Sequence, residues 1–215
     1  MCEHSQLFLT RSGGEFEKGF LHFSMLSRMR SAEKAPKKRQ IPDKWRNYEC
    51  TGRRLSSARF VAFKTPLDKT YFEDNPEEAG PSSEWFTVEN CLRRLGADGI
   101  TLGMVIDLTS SDKYYKASEF EKNDIEHVKI KCRARVGDKE KDRFQKIVNR
   151  FLRQNESNDK VIGVHCAHGL NRTGYMICRY LMECCGLKAA DAVEEFETAR
   201  GHTIELGRQQ LLALR

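Results

Sequence analysis

The chain has 215 residues, of which 39% are hydrophobic and 32% charged, with a formal net charge of +6. That size lies within the range one hydrophobic core can serve, and the balance of apolar to charged residues excludes a chain too polar to fold. No apolar run approaches the ~20 residues of a membrane-spanning helix, and the N-terminus lacks the charged-then-apolar order of a secretory signal, so an intracellular protein without a membrane anchor is expected.

Residues 1–38 show no sustained periodicity, and Gly13-Gly14 and Pro36 interrupt what apolar character residues 20–29 offer. They are expected to form an extension outside the fold, with residues 39–215 as one domain. The positive charge is concentrated toward this end. Residues 1–60 hold 13 Lys and Arg against 6 Asp and Glu, whereas residues 61–215 hold 24 against 25. A basic arm before a nearly neutral domain suits a polyanionic substrate, and Lys34-Ala-Pro-Lys37-Lys38-Arg39 also has the composition of a nuclear-import segment.

From residue 40 onward the pattern alternates. A strand is predicted at 59–64, a loop rich in Pro, Gly and Ser around 75–83, and a helix over 85–95. Residues 102–108 form an apolar run of strand length, and 127–131 alternate as a shorter strand. Phe144, Ile147, Val148, Phe151 and Leu152 recur at helical spacing within 139–154. The strand 161–165 and helices near 172–185, 188–199 and 205–214 complete the chain. Alternating elements with buried strands predict an α/β fold: a central, largely parallel sheet flanked by helices, with the site at the C-terminal edge of the strands.

The densest chemistry lies between the strand at 161 and the next helix, in Val161-Ile-Gly-Val-His165-Cys166-Ala-His168-Gly169-Leu-Asn171-Arg172-Thr173-Gly174. A turn opening a helix presents unpaired backbone N–H groups, which together with the helix dipole hold an anion. Cys166 shares that field, so its thiolate, the nucleophilic form, is favoured. The planar fork of Arg172 can grip two phosphoryl oxygens at once. Thr173 is placed to donate a hydrogen bond to the departing sulfur, while His165 is expected to order the loop rather than act as a base. Taken singly these residues are ordinary core or turn residues; His-Cys-x5-Arg-Thr-Gly after an apolar strand specifies a phosphate-binding cysteine site.

A general acid is less clearly marked. Asp138 and Asp142 follow the strand at 127–131, and Asp107 and Asp112 follow the strand at 102–108; each is also a natural helix cap or loop carboxylate. The eight cysteines, at 2, 50, 91, 132, 166, 178, 184 and 185, show neither zinc-site spacing nor a secreted framework and are expected to be reduced. Cys178, Cys184 and Cys185 read as buried small residues, with a resolving thiol for Cys166 as the alternative.

The loop resembles that of the cysteine-dependent phosphatases, which pass through a phosphocysteine intermediate. The resemblance extends over residues 40–205 to the atypical dual-specificity phosphatases that act on RNA 5′ ends, the RNA/RNP complex-interacting phosphatases, related to the triphosphatase domain of mRNA capping enzymes. It rests on Gln40-Ile-Pro-Asp-Lys-Trp45, Arg59-Phe-Val-Ala-Phe-Lys64-Thr-Pro-Leu, Gly103-Met-Val-Ile-Asp107-Leu-Thr109, Tyr114-Tyr-Lys116 and Arg200-Gly-His202. His168, Leu170 and Asn171 fit that branch, whereas phosphoinositide phosphatases often carry lysines in this loop.

The resemblance implies an RNA 5′-tri- and diphosphatase leaving 5′-monophosphate RNA, a monomer working without metal or cofactor in the nucleus, with the cytoplasm as an alternative. Its partners would be RNA 5′ ends and ribonucleoprotein. Cys166, Arg172, Thr173, Asp107 and Asp138 are the expected catalytic set. His165, Ala167, His168, Gly169, Leu170 and Asn171, with Lys116 and Arg208, are expected to bind substrate, and Lys64 is a further phosphate contact. Asp107 is expected to organise the site rather than move a proton. Tyr114 and Tyr115 are expected to pack.

Two departures bear on these roles. Lys129-Ile-Lys-Cys132-Arg-Ala134-Arg135 is shortened and altered where relatives usually have Gly-His, which puts the acid-bearing loop in question. Relatives place Glu-Arg after the Arg-Gly-His motif, whereas here Glu205 is followed by Leu206-Gly207 and the arginine comes at Arg208. A protein tyrosine or dual-specificity phosphatase is the first alternative function, and a non-catalytic RNA-end-binding module the second.

Overall fold

The computed structural model describes residues 38–133 and 136–214. Residues 1–37, which are all but the last residue of the basic extension expected over 1–38, lie outside the described residues, as do Ala134, Arg135 and Arg215.

Five strands form one mixed sheet in the order β1-β2-β5-β3-β4. They are β1 (Thr51–Arg54), β2 (Phe60–Lys64), β3 (Leu102–Asp107), β4 (Glu126–Lys129) and β5 (Val161–Cys166). β5 runs parallel to β2 and β3, and β4 parallel to β3, while β1 is an antiparallel edge. The parallel order puts the C-terminal ends of β2, β5, β3 and β4 along one rim, and Cys166 pairs across the sheet with Lys64.

The central strands are buried on both faces, which is why they read as continuous apolar runs. Every residue of β2 and of β5 is buried. One face, carrying Ile106, Ile162 and Val164, is covered by α5 (Asp138–Gln154) through Phe144, Val148 and Phe151, and by α6 (Asn171–Cys185) and α7 (Ala189–Arg200). The other face, carrying Val61, Phe63 and Val105, is covered by α3 (Val88–Ala97) through Val88, Cys91 and Leu95. Each such side chain withdrawn from water stabilises the fold by about 1.5–3 kcal/mol. The Thr87 hydroxyl caps α3 by accepting the Asn90 amide at 3.2 Å.

Several expectations are corrected. The stretch 75–83 is not loop throughout, because Asn75-Pro76 opens a one-turn helix, α2 (Pro76–Ala79), with proline at its first helical position, and a 3-10 turn follows at Ser82–Glu84. The single turns α1 (Thr70–Glu73) and α4 (Ser118–Glu121) and the strand β1 lack a periodic signature. The last helix, α8 (Arg208–Leu212), starts three residues later than expected, after Gly207 at φ 87°. Cys178 is buried, but Cys184 and Cys185 at the end of α6 are exposed.

Candidate active site

Cys166 ends β5 and α6 begins five residues on, so residues 167–170 form a tight loop above the sheet rim. The turn depends on Gly169, whose φ is +63° and whose added Cβ would stand 2.0 Å from the Phe63 carbonyl oxygen. The start of α6 has no side-chain cap, so its first N–H groups are left for the sulfur and for an anion.

Cys166 is only 3% exposed. Burial alone would raise its pKa, yet the Arg172 charge, the Thr173 hydroxyl and the amides of Thr173 and Leu170 outweigh it and hold the thiol below its ordinary value. The Thr173 hydroxyl is itself buried without a hydrogen bond of good geometry among the described residues. The sulfur it stabilises is therefore the neighbour that accounts for its position.

Arg172 is half-buried and held from behind: its Nη1 donates to the carbonyls of Leu108 at 3.1 Å and Cys132 at 2.9 Å. These bonds anchor one corner of the fork and leave its other nitrogens to meet phosphoryl oxygens.

A second arginine shapes the loop. Arg200, at the end of α7, is 1% exposed. Its Nε donates to the Gly169 carbonyl at 3.0 Å and its Nη2 to the carbonyls of His168 at 3.0 Å and Glu49 at 2.7 Å. Holding those loop carbonyls away from the centre turns the loop amides toward it. Burial lowers the Arg200 pKa to about 10, opposed by the negative charge of Cys166, so it remains cationic near neutrality. The sequence pattern names Arg200 only within a motif, yet its spacing from Ala192, Val193 and Phe196, all buried on α7, already puts it on the inward face.

The third layer is a buried polar cluster beneath the loop. Asp107 Oδ1 accepts the Thr109 amide at 2.7 Å and Oδ2 accepts Lys129 Nζ at 2.8 Å. Burial would raise the Asp107 pKa, but His165 when protonated, the Lys129 ammonium and the Thr109 amide bring it below its ordinary value. Tyr115 Oη lies 2.6 Å from His165 Nε2 and 3.3 Å from Asp107 Oδ2. Asp107 therefore stays ionised, and its carboxylate ties the end of β3 to Lys129 and the Thr109 amide.

Other expected contacts are corrected. His165 is fully buried, stacked on Phe63 at 5.3 Å, with its pKa lowered by burial; it supports the loop from inside and does not meet substrate. His168 donates from its ring to the Asp43 carbonyl at 2.8 Å and stacks on Tyr48 at 4.9 Å, so its side chain anchors the loop to residues 43–48. Leu170 is buried in the core. Asn171 Oδ1 accepts the amides of Glu205 at 3.0 Å and Leu206 at 3.1 Å, fixing that segment beside the loop. The Ala167 carbonyl is taken by the Thr65 amide. What these loop residues offer an anion is backbone.

Lys64 is buried, donating to the carbonyls of Trp45 and Tyr48 with its ammonium 3.7 Å from the Trp45 ring, so it braces the chain before β1 instead of meeting phosphate. Arg208 is clamped to both oxygens of Glu197, at 2.9 and 3.2 Å, which removes it as a holder of distal phosphates. Lys116 is exposed on a cavity of about 360 Å³ shared with Asp107, Tyr114, His127 and Lys129, a different cavity from the one Arg172 lines. Tyr115 packs, as expected, and Tyr114 is half-buried.

The acid candidates fare poorly. Asp138 opens α5 with its side chain 94% exposed, 3.6 Å from Lys141 Nζ. Asp112 is 69% exposed and paired with Lys129 and Lys131, which hold it ionised. Between β4 and α5 the sequence runs Ile130-Lys-Cys-Arg-Ala-Arg-Val-Gly137, with no carboxylate.

Comparisons with known proteins agree with this geometry. Residues 88–214 match the family described as dual specificity phosphatase, catalytic domain. The chain is 39% identical over 181 residues to the RNA/RNP complex-1-interacting phosphatase homolog of Caenorhabditis elegans, covering 83% of this chain and 76% of that one. It is 40% identical to the RNA/RNP complex-1-interacting phosphatase of Rattus norvegicus, covering 86% and 57%, and 39% identical to that of Homo sapiens, covering 82% and 52%. The chain thus spans little more than half the length of these two mammalian relatives. Among solved structures, PTPMT1 superposes with a TM-score of 0.52 at 15% identity, covering 75% of this chain and 90% of that one, and Tk-PTP in the active form with 0.50 at 19%, covering 72% and 89%. Loop, sheet and relatives converge: the chain belongs to the dual-specificity phosphatase family of cysteine-dependent phosphatases, alongside the RNA/RNP complex-1-interacting phosphatases.

Proposed function

We propose that the protein removes the γ and then the β phosphate from RNA 5′ ends, leaving 5′-monophosphate RNA. The observation that carries this reading is a Cys166 thiol held below its ordinary pKa beside Arg172, together with a stretch between β4 and α5 whose sequence, residues 130–137, is basic and has no carboxylate. A phenolate or alkoxide leaving from a phosphoprotein needs a proton from a positioned acid. The leaving group from a triphosphate is itself a phosphate, whose charge is stable in water and can be met by cations instead.

The Cys166 sulfur attacks the terminal phosphorus, forming an S–P bond as the bond from phosphorus to the bridging oxygen breaks. The electron pair leaves with the shortened RNA. The loop amides and Arg172 hold the three equatorial oxygens, whose charge is spread in the transition state. Water then attacks the phosphocysteine, the S–P bond breaks, and the thiolate is restored with the Thr173 hydroxyl beside it. The proton of the water leaves with inorganic phosphate. These steps use no metal.

The names of the relatives support association with RNA or ribonucleoprotein, and nuclear residence and a monomeric state are part of the same proposal. The test is phosphate release from γ-labelled triphosphate RNA in EDTA, compared with a phosphotyrosine peptide. The proposal predicts faster turnover of the RNA and its loss in Cys166→Ser; preference for the peptide, or dependence on Mg²⁺, would overturn it.

A further inference from the structure

Beside the phosphate loop, on the α8 side, lies a cavity of about 430 Å³ lined by Arg172, Asn171, Tyr175, Leu206, Gly207 and Gln210. Leu206, on that lining, is at 71% exposure the large hydrophobic side chain that the described residues leave open to water. An exposed leucine alone is unremarked on most surfaces. This one is fixed in place: its amide is held by Asn171 Oδ1 at 3.1 Å, and the segment is pinned two residues on by the Arg208–Glu197 pair. Tyr175 stands on the same cavity with the Arg179 guanidinium 5.8 Å from its ring centre.

Building on the RNA 5′-phosphatase reading, we infer that this cavity receives the base of the first nucleotide, with Leu206 and Tyr175 as its contact surfaces. Three features select that occupant. Because Arg172 forms one wall, what enters continues from the phosphoryl group it holds, with the bridging phosphates and the ribose spanning the step to the first base. Leu206 and Tyr175 offer apolar and aromatic surface to the faces of a flat ring, as single-stranded bases are commonly received. The Gln210 amide and the Asn171 Nδ2, whose own Oδ1 is taken by the Glu205 and Leu206 amides, are on the same lining and match the polar edges of a base. Leu206 is thus a specificity-determining residue.

The test is a cycle across protein and substrate. Steady-state kinetics are measured on 5′-triphosphate RNA with guanosine as the first nucleotide and on the same RNA with an abasic first nucleotide, using wild type, Leu206→Ser and Leu206→Met. With wild type the abasic RNA should show a KM about 10-fold higher, the scale of one stacking contact. Leu206→Ser should bring that ratio close to one, and Leu206→Met should restore it. The open position of Leu206 makes loss of folding an unsuitable explanation, and circular dichroism of each variant checks it. A ratio that is the same in wild type and Leu206→Ser overturns the inference while leaving the RNA reading standing. Absence of phosphate release from either RNA by wild type overturns both. Loss of phosphotyrosine-peptide turnover in Leu206→Ser, with the RNA ratio unmoved, would assign the cavity to a tyrosine ring instead.

Discussion

Arg200 and Gly169 are 31 residues apart in sequence, yet the Arg200 Nε donates to the Gly169 carbonyl at 3.0 Å at the back of the phosphate loop. The same guanidinium also holds the His168 and Glu49 carbonyls, so the shape of the loop is set from α7. Arg200→Met would leave these acceptors without their donor, and bonds to a charged donor contribute about 1.5–3 kcal/mol each. The variant should melt several degrees lower and lose about 10²-fold in kcat, the scale of one misdirected oxyanion donor. Thermal unfolding and steady-state kinetics, measured together, check both.

Arg172→Lys keeps the charge but loses the planar fork. The expected fall in kcat is about 10²–10³-fold, because a single ammonium cannot both donate to the Leu108 and Cys132 carbonyls and span two phosphoryl oxygens. Burst and steady-state kinetics on the triphosphate substrate measure it.

Gly169→Ala tests the turn itself. At φ +63° with the Phe63 carbonyl oxygen 2.0 Å from the new Cβ, the loop must shift as a unit. The sheet is paired elsewhere and should persist by circular dichroism, while phosphate release falls to background.

The pH dependence follows from the Cys166 thiol at the rim. The Cys166 pKa is lowered relative to the unfolded chain, so its charge stabilises the fold fully above the unfolded thiol pKa, and that contribution is lost as pH falls through the folded value. Accordingly, kcat/KM for the triphosphate should rise with pH through the lowered thiol pKa and then stay level. A general acid contributes about 10²–10⁴-fold where one acts, and Asp138→Asn, at an exposed position, should remain within about 2-fold of wild type by the same scale. Alkylation of Cys166 by iodoacetamide across pH reads the thiolate directly. A descending basic limb that disappears in Asp138→Asn would contradict this assignment.

The sequence made the centre of the molecule legible because the signals there are local. The apolar strand 161–165, the Cys166-to-Arg172 spacing and the buried face of α5 all stand out within one or two turns of chain. β1 escaped because Thr51-Gly-Arg-Arg has no alternating apolar face; it is made by pairing with β2 and by Gly52, where an added Cβ would meet the Ala199 carbonyl oxygen at 2.7 Å. α1, α2 and α4 are single turns, too short to show a period. Substrate contact is not legible for His165, Lys64 and Arg208 for one reason: a polar side chain near a motif can face inward, and only tertiary partners such as Phe63, Trp45 and Glu197 decide which way it turns.

The account turns on covalent capture of phosphorus by Cys166, and rapid acid quench with γ-labelled triphosphate RNA measures that event. Label should appear on the wild-type protein within the first turnover, map to the peptide containing Cys166, and be absent from Cys166→Ser together with phosphate release. Phosphate released at the wild-type rate by Cys166→Ser, with no labelled protein at any time point, would contradict it.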